Sequence, residues 1–173
     1  MFTSLNLPPP FMLDFRTASA TYDLTEEKCQ IFVRQIARGL QFIHSNNVIH
    51  LDMKPFNVIF ANPEDDSDLR IIDFGISQEL PAGQSSVPIT MVGTLEFISP
   101  EVLDCTEAST QADIWGLGVI AYLLVSGGVS PFFDTSRYKI MSNILNCRYN
   151  FHQPNFALLS DEATDFISKL LGE

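Results

Sequence analysis

The chain has 173 residues, 46% of them hydrophobic, including fourteen Phe and one Trp, which is enough apolar material for one sizeable core and too much for a disordered segment. A formal charge of −11 at pH 7 argues against a nucleic-acid partner, whose phosphates demand a basic surface, and suits a basic peptide or protein. Cys29, Cys105 and Cys147 are widely separated and form no C-x-x-C pair and no zinc-spaced Cys/His cluster, so reduced thiols in an intracellular compartment, cytoplasmic or nuclear, are expected.

Residues 1 to 24 show no sustained period, and the start of the chain has neither a basic run nor a continuous apolar segment of the signal-peptide kind. A loosely ordered leader is expected there. Thr25 is a candidate N-cap with Glu26 and Glu27 behind it, and Cys29, Phe32, Ile36, Leu40 and Ile43 give one apolar stripe on a helix ending near His44. Asn46-Asn47 marks a turn. Val58-Ile59-Phe60 and Leu69-Arg70-Ile71-Ile72 read as short strands around a polar loop from Asn62 to Asp68. From Asp73 to Glu101 the chain is punctuated by Gly and Pro and is expected to be irregular, a long loop of the functional kind.

Residues 111 to 126 are apolar on nearly every helical face, which places that helix in the centre of the molecule. The longest apolar run, Ile114 to Val125, is broken by Gly116 and Gly118 and falls short of the ~20 residues that span a bilayer, so no membrane span is expected. Two amphipathic helices are expected near Thr135 to Leu145 and Ser160 to Leu171, the second capped by Ser160.

The stretch Val48-Ile49-His50-Leu51-Asp52-Met53-Lys54-Pro55-Phe56-Asn57, followed by Asp73-Phe74-Gly75, carries the chemistry. Phosphoryl transfer needs a carboxylate at the attacking hydroxyl and oxygen ligands for magnesium ions on the nucleotide phosphates. The order H-x-D-x-K-P-x-N and then D-F-G resembles the catalytic loop and magnesium loop of a eukaryotic protein kinase. An isolated Asp is ordinarily a solvated loop residue or a helix cap; the combined spacing reverses that reading.

The resemblance covers roughly Thr25 to the C-terminus. It implies a mainly α fold, the large lobe of a kinase domain with short β-hairpins at the catalytic loop (48–57) and magnesium loop (73–75), an activation segment over 73–101 and a central helix over 111–126. ATP and Mg²⁺ are the implied cofactors. Asp52 would accept or orient the proton of the substrate hydroxyl, and Lys54 would stabilise charge on the transferring group. Asn57 and Asp73 would bind metal, and Ile59 and Ile72 would contact adenine. Gly93-Thr94 to Pro100-Glu101 resembles the end of the activation segment, with Thr94 flooring the substrate site. Asp113, in Asp113-Ile114-Trp115-Gly116, would accept backbone N–H groups of the catalytic loop; His50 and Glu101 would be structural supports. Lysine at position 54 is similar to the serine/threonine enzymes. Val48 to Asp52, Ile71 to Gly75 and Leu124-Val125-Ser126-Gly127 look most like the calcium/calmodulin-type kinases, among them the death-associated and myosin light chain kinases.

Four departures from that pattern stand out. Leu51 occupies the place of an arginine that in many kinases receives an activation-segment phosphate. The segment from Asp73 to Glu101 carries four carboxylates and no Lys or Arg. No glycine-rich loop and no strand lysine precede the catalytic loop, so the small β-rich lobe is missing from these 173 residues. The arginine that would pair with Glu101 is absent as well. The expected activity is transfer of the ATP γ-phosphoryl group to Ser or Thr of protein or peptide substrates, with the isolated fragment weak or inactive. The alternative is a catalytically inactive lobe that binds substrates or partners. Calmodulin could act only through sequence absent from this chain.

Overall fold

The computed structural model describes residues 11–12, 24–62, 65–152 and 156–172. Apart from Leu24 and the pair Phe11–Met12, the expected leader lies outside the described residues.

Helix α1, Glu26–Ser45, starts where the Thr25 hydroxyl accepts the Lys28 N–H at 3.3 Å, with Glu26 and Glu27 at the positive end of its dipole. Its apolar stripe buries Cys29, Phe32, Val33, Ile36, Leu40 and Ile43. The short helix α2 covers Pro100–Leu103. Helix α3, Thr110–Ser126, is capped by Ser109 and stops at Gly127, whose φ of 74° is a left-handed closure that glycine adopts freely. Nearly every α3 side chain from Ala112 to Leu124 is buried, so this helix forms the axis of the core. It lies between α1 and a later helix, α5, Asp161–Leu170. A smaller helix, α4, covers Arg137–Leu145.

Two glycines let α3 approach its neighbours. A Cβ on Gly116 would stand 2.7 Å from the Met53 Cβ, and one on Gly118 would stand 2.9 Å from Leu170. The first contact presses α3 directly against the loop that carries Asp52. Among the described residues no helix is long and apolar enough to cross a membrane.

The strands are short: β1 Phe11–Met12, β2 Val48–Ile49, β3 Val58–Asn62, β4 Asp65–Ile71, β5 Gln78–Glu79, β6 Ser86–Pro88 and β7 Glu107–Ser109. The antiparallel β3–β4 hairpin pairs Val58 with Ile71, and β1 lies along the other side of β3. The expected polar loop from Asn62 to Asp68 is therefore largely strand. Asp and Ser disfavour a strand by local propensity, but the ladder to β3 and a hydrogen bond from the Leu69 N–H to the Gln35 side chain (2.8 Å) hold the backbone extended.

The segment expected to be irregular from Asp73 to Glu101 is also partly ordered by pairing. β5 lies against β2, and β6 lies against β7, where Val87 faces Ala108 and both are buried. A 3₁₀ turn at Leu95–Phe97 leads into α2.

One long-range tie joins α1 to α5. The Glu26 carboxylate accepts the Ser160 hydroxyl at 2.6 Å and the Ser160 N–H at 2.9 Å, while the same hydroxyl oxygen caps α5 by accepting the Ala163 N–H at 3.1 Å. These bonds, the hydroxyl first, hold the Glu26 carboxyl below the ordinary carboxylate range, and partial burial opposes them weakly. A lowered pKa means stability that is present at neutral pH and lost as pH falls through the lowered value. Glu26→Gln is expected to melt below the parent chain at pH 7, with the gap closing as the pH is taken down through the carboxylate range. Thermal melts between pH 7 and pH 3 check this; a gap independent of pH would show that the ionised carboxylate contributes nothing.

Candidate active site

The site is built on a buried carboxylate. Asp113, in the first turn of α3, is fully buried, and its two oxygens accept three hydrogen bonds. Oδ2 receives the His50 N–H and the His44 Nε2–H, and Oδ1 receives the Leu51 N–H, all at 2.8 Å. An ionised carboxylate can only accept, so Nε2 is the protonated nitrogen of His44 in this contact. Leu51 sits at a φ of 67°, a left-handed conformation that costs a branched side chain about 1–3 kcal/mol. The Asp113 bond to its N–H holds it there and turns the next residue, Asp52, toward the surface.

His50 links this loop to the segment that leads into Asp73. Its Nε2 donates to the Ile72 carbonyl at 3.0 Å, and its Nδ1 accepts the Asp52 N–H at 3.3 Å. One tautomer, with the proton on Nε2, satisfies both. The ring packs edge-to-face on Phe74 at 4.9 Å, and Ile72 N–H donates to the Asn57 carbonyl at 2.9 Å. The position of Asp73 relative to Asp52 is set by these contacts.

Asp52, Lys54, Asn57 and Thr94 meet in one hydrogen-bonded group. Lys54 Nζ donates to Asp52 Oδ2 at 2.6 Å and to the Thr94 hydroxyl at 3.0 Å, while the Thr94 hydroxyl donates to Asp52 Oδ1 at 3.1 Å. Asn57 donates through Nδ2 to the Asp52 carbonyl at 2.7 Å and to Oδ2 at 3.0 Å. That orientation uses the amide nitrogen and leaves the amide oxygen as an available hard ligand. Asp73, at a φ of 63°, is exposed and accepts the Gly75 N–H at 3.2 Å through one oxygen.

The donor set of Asn57 oxygen and Asp73 carboxylate fits magnesium, which keeps several waters and takes phosphate oxygens as further ligands. Among the described residues no three His, Cys, Asp or Glu side chains cluster to hold a metal by themselves, and such a shared site does not require them to.

Other expected residues sit further out. Ile59 and Ile72 are half-buried at the β3–β4 side, and Ile72 reaches the Asp52 group through His50 and through the Asn57 carbonyl. Glu101 is half-buried at the start of α2; its carbonyl accepts from the Thr106 N–H and hydroxyl, and its carboxylate makes no ion pair among the described residues. His44 is a contributor that sequence patterning does not reveal. It reads as the polar end of α1, and nothing local connects it to Asp113, 69 positions away.

A loop carboxylate held by a lysine, a threonine and an amide, and a buried aspartate behind them on a central helix, define a kinase-like constellation. The family model described as the protein kinase domain matches residues 12–173, and the chain belongs to that family. Its relatives include myosin light chain kinases and a death-associated protein kinase. It is 38% identical over 157 residues to smooth muscle myosin light chain kinase of Gallus gallus, covering 90% of this chain and 8% of the relative. It is 39% identical over 156 residues to myosin light chain kinase 2, skeletal/cardiac muscle, of Mus musculus (90% and 25%). It is 42% identical over 147 residues to the death-associated protein kinase dapk-1 of Caenorhabditis elegans (85% and 10%). The chain thus spans a quarter or less of these relatives' lengths.

Gly93 sets the position of Thr94. It has a φ of 93°, and a Cβ there would lie 2.9 Å from the Leu51 carbonyl. Gly93→Ala is expected to destabilise by about 2 kcal/mol or more through backbone strain and that clash. Urea unfolding measures it; a change under about 0.5 kcal/mol would mean that the loop shifts freely and does not fix Thr94.

Proposed function

We propose that this chain supplies the large-lobe catalytic apparatus of a serine/threonine protein kinase, which transfers the γ-phosphoryl group of Mg-ATP to a protein hydroxyl. The observation that carries this reading is the Asp52–Lys54–Thr94 triangle with Asn57 bonded to the same Asp52 carboxylate. Asp52 orients the substrate hydroxyl and takes up its proton, and Thr94 and Asn57 fix the carboxylate so that it meets the hydroxyl in one orientation. Lys54 lies within reach of the same oxygen atoms and balances charge on the transferring group.

Asn57 and Asp73 would hold magnesium, which when bound neutralises charge on the nucleotide phosphates. Ile59 and Ile72 offer half-buried apolar surface for a base, and Glu101 supports the end of the activation segment.

Substrate proteins with basic character fit the field around this site. The formal charge is −11, and the segment from Asp73 to Glu101 has four carboxylates and no Lys or Arg. Three free cysteines suit an intracellular setting. Leu51 cannot receive an activation-segment phosphate. The β2–β5 and β6–β7 pairings supply backbone bonds that hold the segment without one.

The test is transfer of labelled phosphate from Mg-ATP to serine and threonine peptides by the natural full-length polypeptide that contains these residues. Asp52→Ala is expected to lower the rate by a factor of about 10² or more. Transfer that survives Asp52→Ala undiminished would remove Asp52 from the reaction and the proposed mechanism with it.

A further inference from the structure

The segment from Asp73 to Glu101 lies in a stretch without a basic side chain: no Lys or Arg occurs between Arg70 and Arg137. Leu80 fastens the first part of the segment, its N–H donating to the Asn47 carbonyl at 2.7 Å, and Gly93 approaches the Leu51 carbonyl further on. Between those two points, among the described residues, the hydrogen-bonded tie to another part of the chain is the β6–β7 pairing. Ser86 stands opposite Ser109, the buried Val87 opposite the buried Ala108, and Pro88 opposite Glu107. The Ser86 hydroxyl closes this tie by donating to the Glu107 carboxylate at 2.6 Å, a charge-assisted bond. Ser86, Glu101 and Glu107 line one open cavity, and no basic residue lines it with them. The Ser86 side chain is thus open to solvent and surrounded by carboxylates.

We propose that Ser86 is a phosphorylation site at which the added phosphate switches the Asp52 site off. The proposal rests on the kinase reading above and adds its regulation. The modification passes the γ-phosphoryl group of ATP to Ser86 Oγ under a serine kinase. The bond from the γ-phosphorus to its bridging oxygen breaks, ADP leaves, and the hydroxyl proton goes to solvent. The modified side chain no longer donates to Glu107 and instead sets a charge of about −1.5 to −2 beside it. Like charges so placed across a two-stranded ladder destabilise it. No guanidinium or ammonium group lines the cavity to receive the phosphate. Each strand of the ladder has three residues, so few bonds oppose its opening. Opening releases the run from Leu80 to Gly93, and with it the loop that seats the Thr94 hydroxyl on Asp52 and Lys54.

The test uses the natural full-length polypeptide with phosphoserine installed at position 86, read by amide hydrogen exchange over β6 and β7 and by phosphate transfer to serine peptides. Phosphoserine is expected to accelerate exchange over residues 86–88 and 107–109 by at least about tenfold and to lower transfer by a similar factor. Ser86→Ala removes the hydroxyl without adding charge, and is expected to change each readout by less than about threefold, the low end for one exposed hydrogen bond. Glu107→Lys in the phosphoserine protein gives the phosphate a cation, and is expected to bring both readouts back to within about threefold of the parent. Unchanged exchange in the phosphoserine protein overturns the proposal, as does transfer that persists or rises. A Ser86→Ala variant as impaired as the phosphoserine protein also overturns it, and so does a failure of Glu107→Lys to restore the ladder. If the unmodified parent transfers no phosphate, the kinase reading fails by itself, and exchange over β6 and β7 still decides whether charge at Ser86 opens the ladder.

Discussion

The described site depends on a carboxylate that sees no water. Asp113 accepts two consecutive backbone N–H groups and a histidine, and by doing so fixes Leu51 in a conformation that a leucine does not choose. A buried carboxylate without partners would cost several kcal/mol; with three charge-assisted bonds it becomes a rigid mount instead. The mount is rigid because its own helix is: α3 is buried on nearly all sides and touches the loop through Gly116, where even a methyl group would collide with Met53. From that point outward the geometry is inherited. His50 carries it to the Ile72 carbonyl, Asn57 carries it to Asp52, and Gly93 carries it to Thr94.

The segment from Asp73 to Glu101 is held by a different principle. It carries four negative side chains and no positive one, so a phosphate within it would meet repulsion rather than an arginine. Two short backbone ladders hold it instead, one to β2 and one to β7, the strand before α3. The Ser86 hydroxyl adds a hydrogen bond to Glu107 at 2.6 Å beside the second ladder.

Legibility in the sequence followed contact distance along the chain. The longer helices were legible because their apolar spacing and caps are local: Thr25 and Ser160 lie at helix starts, and the stripe from Cys29 to Ile43 is the buried face of α1. The loop motifs from His50 to Asn57 and at Asp73 were legible as motifs, and the structure joins Lys54, Asn57 and Thr94 each to the Asp52 carboxylate by a hydrogen bond. Contacts between distant positions left no local trace. His44 with Asp113, Glu26 with Ser160 and Ser86 with Glu107 join residues whose own neighbourhoods give no sign of a partner. The strands β5 and β6 escaped for a related reason. Two or three residues among prolines and glycines carry no alternation, and only the strand opposite makes them extended.

The central claim is that Asp113 fixes the conformation of the loop that carries Asp52, and amide hydrogen exchange on Asp113→Asn tests it most directly. Asparagine keeps the volume and one acceptor oxygen but presents an amide group to donors that need an acceptor. Exchange at the His50 and Leu51 amides is expected to accelerate by at least about tenfold, while the amides in the middle of α1 and α3 keep their protection. Unchanged protection at His50 and Leu51 would contradict the account, because the loop would then be held by its other contacts and Asp113 would be a passenger in the core.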